Sequence, residues 1–93
     1  MAAIEDIIAE RRRQVEELGW DAYHDDGSNG PCDLANAAGS YCLYGHDPTP
    51  PTTWPWDAKW WRPGSYRRRL VKAAALIVAE IERFDRKDAQ RGR

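Results

Sequence analysis

Residues 65–86, SYRRRLVKAAALIVAEIERFDR, decide the fold of this chain. Leu70, Ala73, Ala74, Ile77, Ile81 and Phe84 recur at helical spacing, and Val71, Ala75 and Val78 widen the stripe enough to touch more than one neighbour. With Ser65 as N-cap, the spacing predicts a helix over 66–86, followed by a polar, basic and frayed tail at 87–93. Arg67, Arg68 and Arg69 then fall in the first turn, where unpaired positive charge opposes the helix dipole by roughly 0.3 to 1 kcal/mol per residue. Something anionic is expected there. It is either the chain's own carboxylates, chiefly Asp25, Asp26 and Asp57, or a phosphate held by the free backbone amides and the arginines together.

Immediately upstream, residues 54–63 read WPWDAKWWRP and hold four of the five tryptophans beside Arg62. Tryptophan is costly to expose and is the best aromatic partner for a guanidinium, so the cluster is a core plug or a stacking platform. Residues 46–65 contain every proline but Pro31 and cannot form a long regular element, yet they are too aromatic for disorder. An ordered loop of this kind wraps a core or builds a site.

Working back toward the N-terminus, Leu34, Ala37, Ala38, Tyr41 and Cys42 repeat at helical spacing over 34–44, with Asp33 as N-cap and Gly45 as stop. Cys42 is expected in the core, and the small residues Ala35, Ala37, Ala38 and Gly39 admit a second helix at close range. Residues 21–32, DAYHDDGSNGPC, carry turn chemistry throughout. A first helix is expected over 3–18, with Ile4, Ile7, Ile8, Val15 and Leu18 on one stripe and Gly19 as a left-handed cap. Arg11, Arg12 and Arg13 form a solvated face that pairs with Glu16 and Glu17. Trp20 is expected to fold its ring back onto the core. The expected fold is therefore all-α: one small three-helix domain, 1–93, with a long ordered Trp/Pro-rich loop between helices 2 and 3.

Composition narrows the function classes. The chain has 93 residues with 14 Lys and Arg against 15 Asp and Glu, so any attraction for phosphate is local and a general nucleic-acid coat is disfavoured. Cys32 and Cys42 suit neither a CxxC pair nor a disulfide scaffold and read as free thiols in a reducing cytoplasm. The longest apolar run, Ala73–Ala79, is far short of the roughly 20 residues that span a bilayer. Such a small domain is marginal alone, so oligomerisation is expected, with the alanine face of the second helix as the contact.

Catalytic and metal readings fare poorly. His24, Asp25, Asp26, His46 and Asp47 offer nitrogen and oxygen donors, but neighbours in a loop cannot all face one ion. His24 and the acidic pair read better as partners of Arg68 or Arg69. Magnesium-binding helical pyrophosphohydrolases need ExxE and ExxD sets, whereas this chain has Glu82 with Asp85 and no ExxE. Glu80 and Glu82 more simply flank the apolar stripe on its wet side. No glycine-rich phosphate loop occurs. No catalytic residue, metal or cofactor is expected.

The blocks ERRRQVEELGW, HDD, WPWDAKWWRP and RRRLVKAAALIVAEIERFDR, in this order over residues 9–86, resemble a family of short tailed-phage and prophage proteins. Ser28 stands where that family carries a second histidine, and a residue is inserted before Leu34, which puts a shared metal site in doubt. The arginine helix leading into Gly19-Trp20, the acidic pair, a later tyrosine and the closing helix are similar to the repeat domain of ryanodine receptors. That second resemblance implies adenine-nucleotide binding. Together they imply a cytoplasmic phage protein that captures a nucleotide-type ligand, such as a cyclic nucleotide or ADP-ribose-type immune signal, without turnover. Trp54, Trp56, Trp60 or Trp61 would stack on the base, and Arg62, Arg67, Arg68 and Lys72 would neutralise phosphate. Tyr23 or Tyr66 would orient the ligand, with His24, Asp25 and Asp26 beside it. The competing expectation is a structural or protein-interaction module whose tryptophans are core and whose arginines are structural.

Overall fold

The computed structural model describes residues 2–20 and 32–91. Its elements are α1 (Ala3–Glu16), α2 (Asp33–Tyr44), a 3-10 turn (Ala58–Trp60) and α3 (Tyr66–Arg91). The all-α architecture and the long loop between α2 and α3 are as the sequence predicts. Gly19 takes the left-handed conformation expected of it, φ +74°, and the Trp20 N–H closes the turn on the Gln14 carbonyl at 2.9 Å. Ser65 caps α3, its hydroxyl accepting from the Arg68 N–H at 3.2 Å.

Three boundaries differ from expectation. α1 stops at Glu16, two residues early, where the Glu17 N–H makes its last bond to the Arg13 carbonyl. Asp33 is the first residue of α2 rather than its cap; that position belongs to Cys32, left-handed at φ 67° and without a side-chain cap bond. α3 does not fray at 87 but continues to Arg91, because Lys87, Ala89, Gln90 and Arg91 are good helix formers. The overhanging α3 makes the molecule long and flat, 44 × 33 × 21 Å. Its radius of gyration of 13.3 Å exceeds the roughly 12 Å of a compact chain of this length.

The core is the α2–α3 interface plugged by loop aromatics. Leu34, Ala37, Ala38 and Tyr41 of α2 meet Ala73, Leu76 and Ala79 of α3, with Trp54 and Trp61 sealing one end. Small side chains on both helices permit the close approach. The alanine face of α2 is therefore used inside the protomer and is not free to contact a second subunit. Cys42, expected in the core, is exposed, as is Cys32; one step past Tyr41 turns it off the buried face. At the end of α2 a Cβ on Gly45 would lie 2.2 Å from Arg69 Cδ and 2.8 Å from the Tyr41 carbonyl, so only glycine lets α3 pass.

The apolar stripes do not face where periodicity suggests. On α1 the buried residues are polar, Glu10 and Gln14, while Ile4 is 67% and Ile8 53% exposed. α1 is held to α3 by ion pairs: Asp6 with Arg67 at 2.6 Å, Glu10 with Arg68, and Arg11 with Glu82 at 3.4 Å. On α3 the core takes Val71, Ala73, Ala75, Leu76 and Ala79. Leu70, Ile77, Ile81 and Phe84 lie on the opposite side, between 37% and 61% exposed. Periodicity identifies an apolar face but not which of two a neighbour will cover, and close packing against α2 selects the alanine side.

Candidate functional site

The four loop tryptophans divide. Trp54 and Trp61 are buried, each 7% exposed, and their indole N–H groups donate to the backbone carbonyls of Asp57 (3.2 Å) and Asp47 (3.0 Å). Tyr41 stacks on Trp61 at 5.3 Å and meets Trp54 edge-on at 5.1 Å. These rings are satisfied core, as the competing expectation has it, and are not free to stack on a ligand. Trp56 is half-buried against Trp20 and Trp54. Trp60 alone of the four is solvent-facing, 44% exposed, with Lys59 Nζ 5.5 Å above its ring.

The arginines at the start of α3 find carboxylates, but not the expected ones. Asp57 instead caps the 3-10 turn, accepting from the Lys59 N–H at 2.9 Å, and Asp25 and Asp26 lie outside the described residues. The partners come from α1. Arg67 pairs with Asp6, and Arg68 with the buried Glu10, whose carboxylate also accepts from Nε and Nη2 of Arg13, each at 2.9 Å. Arg13, expected to pair with Glu16 and Glu17, reaches Glu17 only at 3.7 Å. Burial pushes the Glu10 carboxyl up, but the hydrogen bond from Arg13 and the charges of Arg68 and Arg13 outweigh it and leave its pKa below the ordinary value. Arg69 lies against the Tyr66 ring at 4.9 Å, and its buried Nε has no hydrogen-bond partner among the described residues.

Above Glu10 a half-open cavity of about 330 Å³ lies between α1, α2, α3 and the end of the 3-10 turn. Its described walls carry four cations, Arg13, Arg62, Arg68 and Lys72, against the single carboxylate of Glu10. Aromatic surface comes from Trp20, Tyr41 and Trp60. Arg62 and Lys72 have no carboxylate partner among the described residues. Arg62 makes only a 3.4 Å bond to the Lys59 carbonyl, while Lys72 Nζ donates to the Arg62 carbonyl and sits 5.8 Å over Tyr41. Burial first, then the charge of Arg68, lowers the Lys72 pKa. Burial also pushes the Tyr41 hydroxyl up to about 12, so this ring stays neutral at physiological pH. Gln14 lines the same cavity and donates to Glu10 at 3.4 Å, and its buried Oε1 has no partner among the described residues.

Of the expected site residues, the cavity thus gathers Trp60, Arg62, Arg68 and Lys72. Trp54, Trp56, Trp61, Tyr66 and Arg67 do not line it, and Tyr23, His24, Asp25 and Asp26 lie outside the described residues. Glu10, Arg13, Gln14, Trp20 and Tyr41 were not foreseen as a group. Their signal was the spacing of Glu10, Arg13 and Gln14, which puts all three on one side of a helix, the side that proves to be buried. Among the described residues no group of His, Cys, Asp and Glu could hold a metal ion, and no helix is long and apolar enough to cross a membrane. No protein-family model matches the chain, and neither a curated protein nor a solved structure does.

Proposed function

We propose that the protein binds a nucleotide-type anion in the cavity above Glu10 and holds it without turnover. The observation that carries this reading is the convergence of Arg13, Arg62, Arg68 and Lys72 on one half-enclosed space with a single carboxylate among the described residues. Cations crowded in this way repel one another, and the Lys72 pKa is lowered first by burial and then by the neighbouring charge of Arg68. A phosphate placed among them relieves that repulsion. Arg62 and Lys72 supply charge that no carboxylate among the described residues neutralises, Arg68 a half-exposed guanidinium, and Trp60 a face on which a base can stack. Volume favours one nucleoside phosphate over a dinucleotide, since about 330 Å³ is near the lower end of small-molecule sites, roughly 300 to 1,000 Å³. With the resemblance to short phage proteins, this points to sequestration of a host defence signal in the cytoplasm of an infected bacterium.

A second reading, a structural or protein-interaction module without a small ligand, is favoured by the burial of Trp54 and Trp61 and by the pairing of Arg67 and Arg68 with α1. Arg62 and Lys72 separate the two. In a thermal-shift series against cyclic mononucleotides, cyclic dinucleotides, ADP-ribose and ATP, capture raises the melting temperature with one ligand class, recovered unchanged after heating. Arg62→Ala and Lys72→Met then abolish that shift without lowering the melting temperature of the free protein. No shift with any ligand, confirmed by calorimetric titration, would favour the module.

A further inference from the structure

We infer that the outer face of α3 is the contact surface for a second copy of this chain, paired antiparallel about Ile77. Leu70, Ala74, Ile77, Ile81 and Phe84 follow one another at alternating steps of four and three, the spacing of a coiled-coil seam. At about 100° per residue this seam points away from the buried Val71, Ala75, Leu76 and Ala79, with the buried Ala73 at its edge. All but the small Ala74 are exposed: Leu70 37%, Ile77 42%, Ile81 54% and Phe84 61%. A continuous apolar seam along a helix that overhangs its own domain is unusual for a monomer.

The ends of the seam identify the occupant. Arg67 stands one step before Leu70, with its side chain 60% exposed although it touches Asp6, and the exposed Asp88 stands one step after Phe84. The stripe therefore reads positive, five apolar residues, negative, nearly symmetric about Ile77. An antiparallel second copy places each Arg67 near the partner's Asp88, whereas a parallel copy sets like charges side by side. Beside the seam, a groove of about 410 Å³ has an apolar floor of Ile7, Ile8, Val15 and Val78 and a charged rim of Arg11, Arg12, Glu16 and Glu82, a surface that such a helix would partly cover. This contact uses a different stripe of α3 from the one that packs on the α2 alanines and includes none of the residues that line the cavity above Glu10.

Light scattering across a dilution series is expected to give twice the 10.7 kDa of one chain, and Ile81→Asp or Phe84→Ser to give a single chain with unchanged helical circular dichroism. With Cys32 and Cys42 replaced by Ser, a short bis-maleimide should join Ile77→Cys chains in pairs but not Asp88→Cys chains. In the antiparallel arrangement the two copies of position 88 are about 33 Å apart along the axis. A wild-type monomer throughout, a dimer that survives both seam substitutions, or efficient joining through position 88 would each overturn the proposal.

Discussion

Replacing Glu10 with Gln removes the shared counter-charge of Arg13 and Arg68 while keeping the shape of the side chain. Because the carboxylate is buried and receives hydrogen bonds from two guanidinium groups, the loss is expected to be about 2 kcal/mol. The effect depends on pH. Glu10 titrates below its ordinary value of 4.5 in the folded protein, so its stabilisation is fully present above that pH and is lost as pH falls through the folded value. Urea midpoints of wild type and Glu10→Gln should therefore differ at neutral pH and converge in acid. At Gly45 the constraint is steric: an alanine Cβ must displace Arg69 or crowd the Tyr41 carbonyl, and about 1 to 3 kcal/mol of overpacking is expected in the same measurement. Among the tryptophans, Trp54→Ala should cost about 3 to 5 kcal/mol, as for a buried aromatic, whereas Trp60→Ala should leave stability nearly unchanged.

α1 and α2 are attached to α3 by different physics. α2 buries Leu34, Ala37, Ala38 and Tyr41 against alanines and Leu76, a contact indifferent to salt. α1 presents Glu10 and Gln14 inward and relies on ion pairs to Arg67, Arg68 and Glu82, two of which are substantially exposed. Exposed pairs are weak and screened. α1 should therefore open first: native-state hydrogen exchange is expected to be faster over its amides than over α2, and the gap should widen with added salt. Uniform protection across all three helices would contradict this. The positions of the helices were legible because their periodicity is strong and Gly19, Ser65 and Gly45 punctuate them. The inward face of α1 was not, since Ile4 and Ile8 of its obvious stripe are exposed and its buried pair is polar. α3 misled in the same way: two apolar faces satisfy one spacing, and only the partner helix distinguishes them.

Across the whole molecule, the candidate site depends on which elements the fold brings together. The sequence made Trp60, Arg62, Arg68 and Lys72 visible because they are close in the chain and chemically alike. Arg13, Gln14 and Tyr41 join them only through the crossing of α1 and α2 over α3, a proximity that spacing within one element does not reveal. Trp54 and Trp61 looked like the same kind of residue as Trp60, but burial separates them. That burial has an optical consequence. Tyr41, Trp54, Trp56 and Trp61 form a chain of rings with successive centroids about 5 Å apart, held at fixed and mostly steep angles. Transition dipoles so close and so oriented couple as excitons, and excitation absorbed by one indole passes to the next. The loop between α2 and α3 thus carries its own spectroscopic label: near-ultraviolet dichroism should vanish when the loop lifts away, even while the helices it covers still absorb as helices.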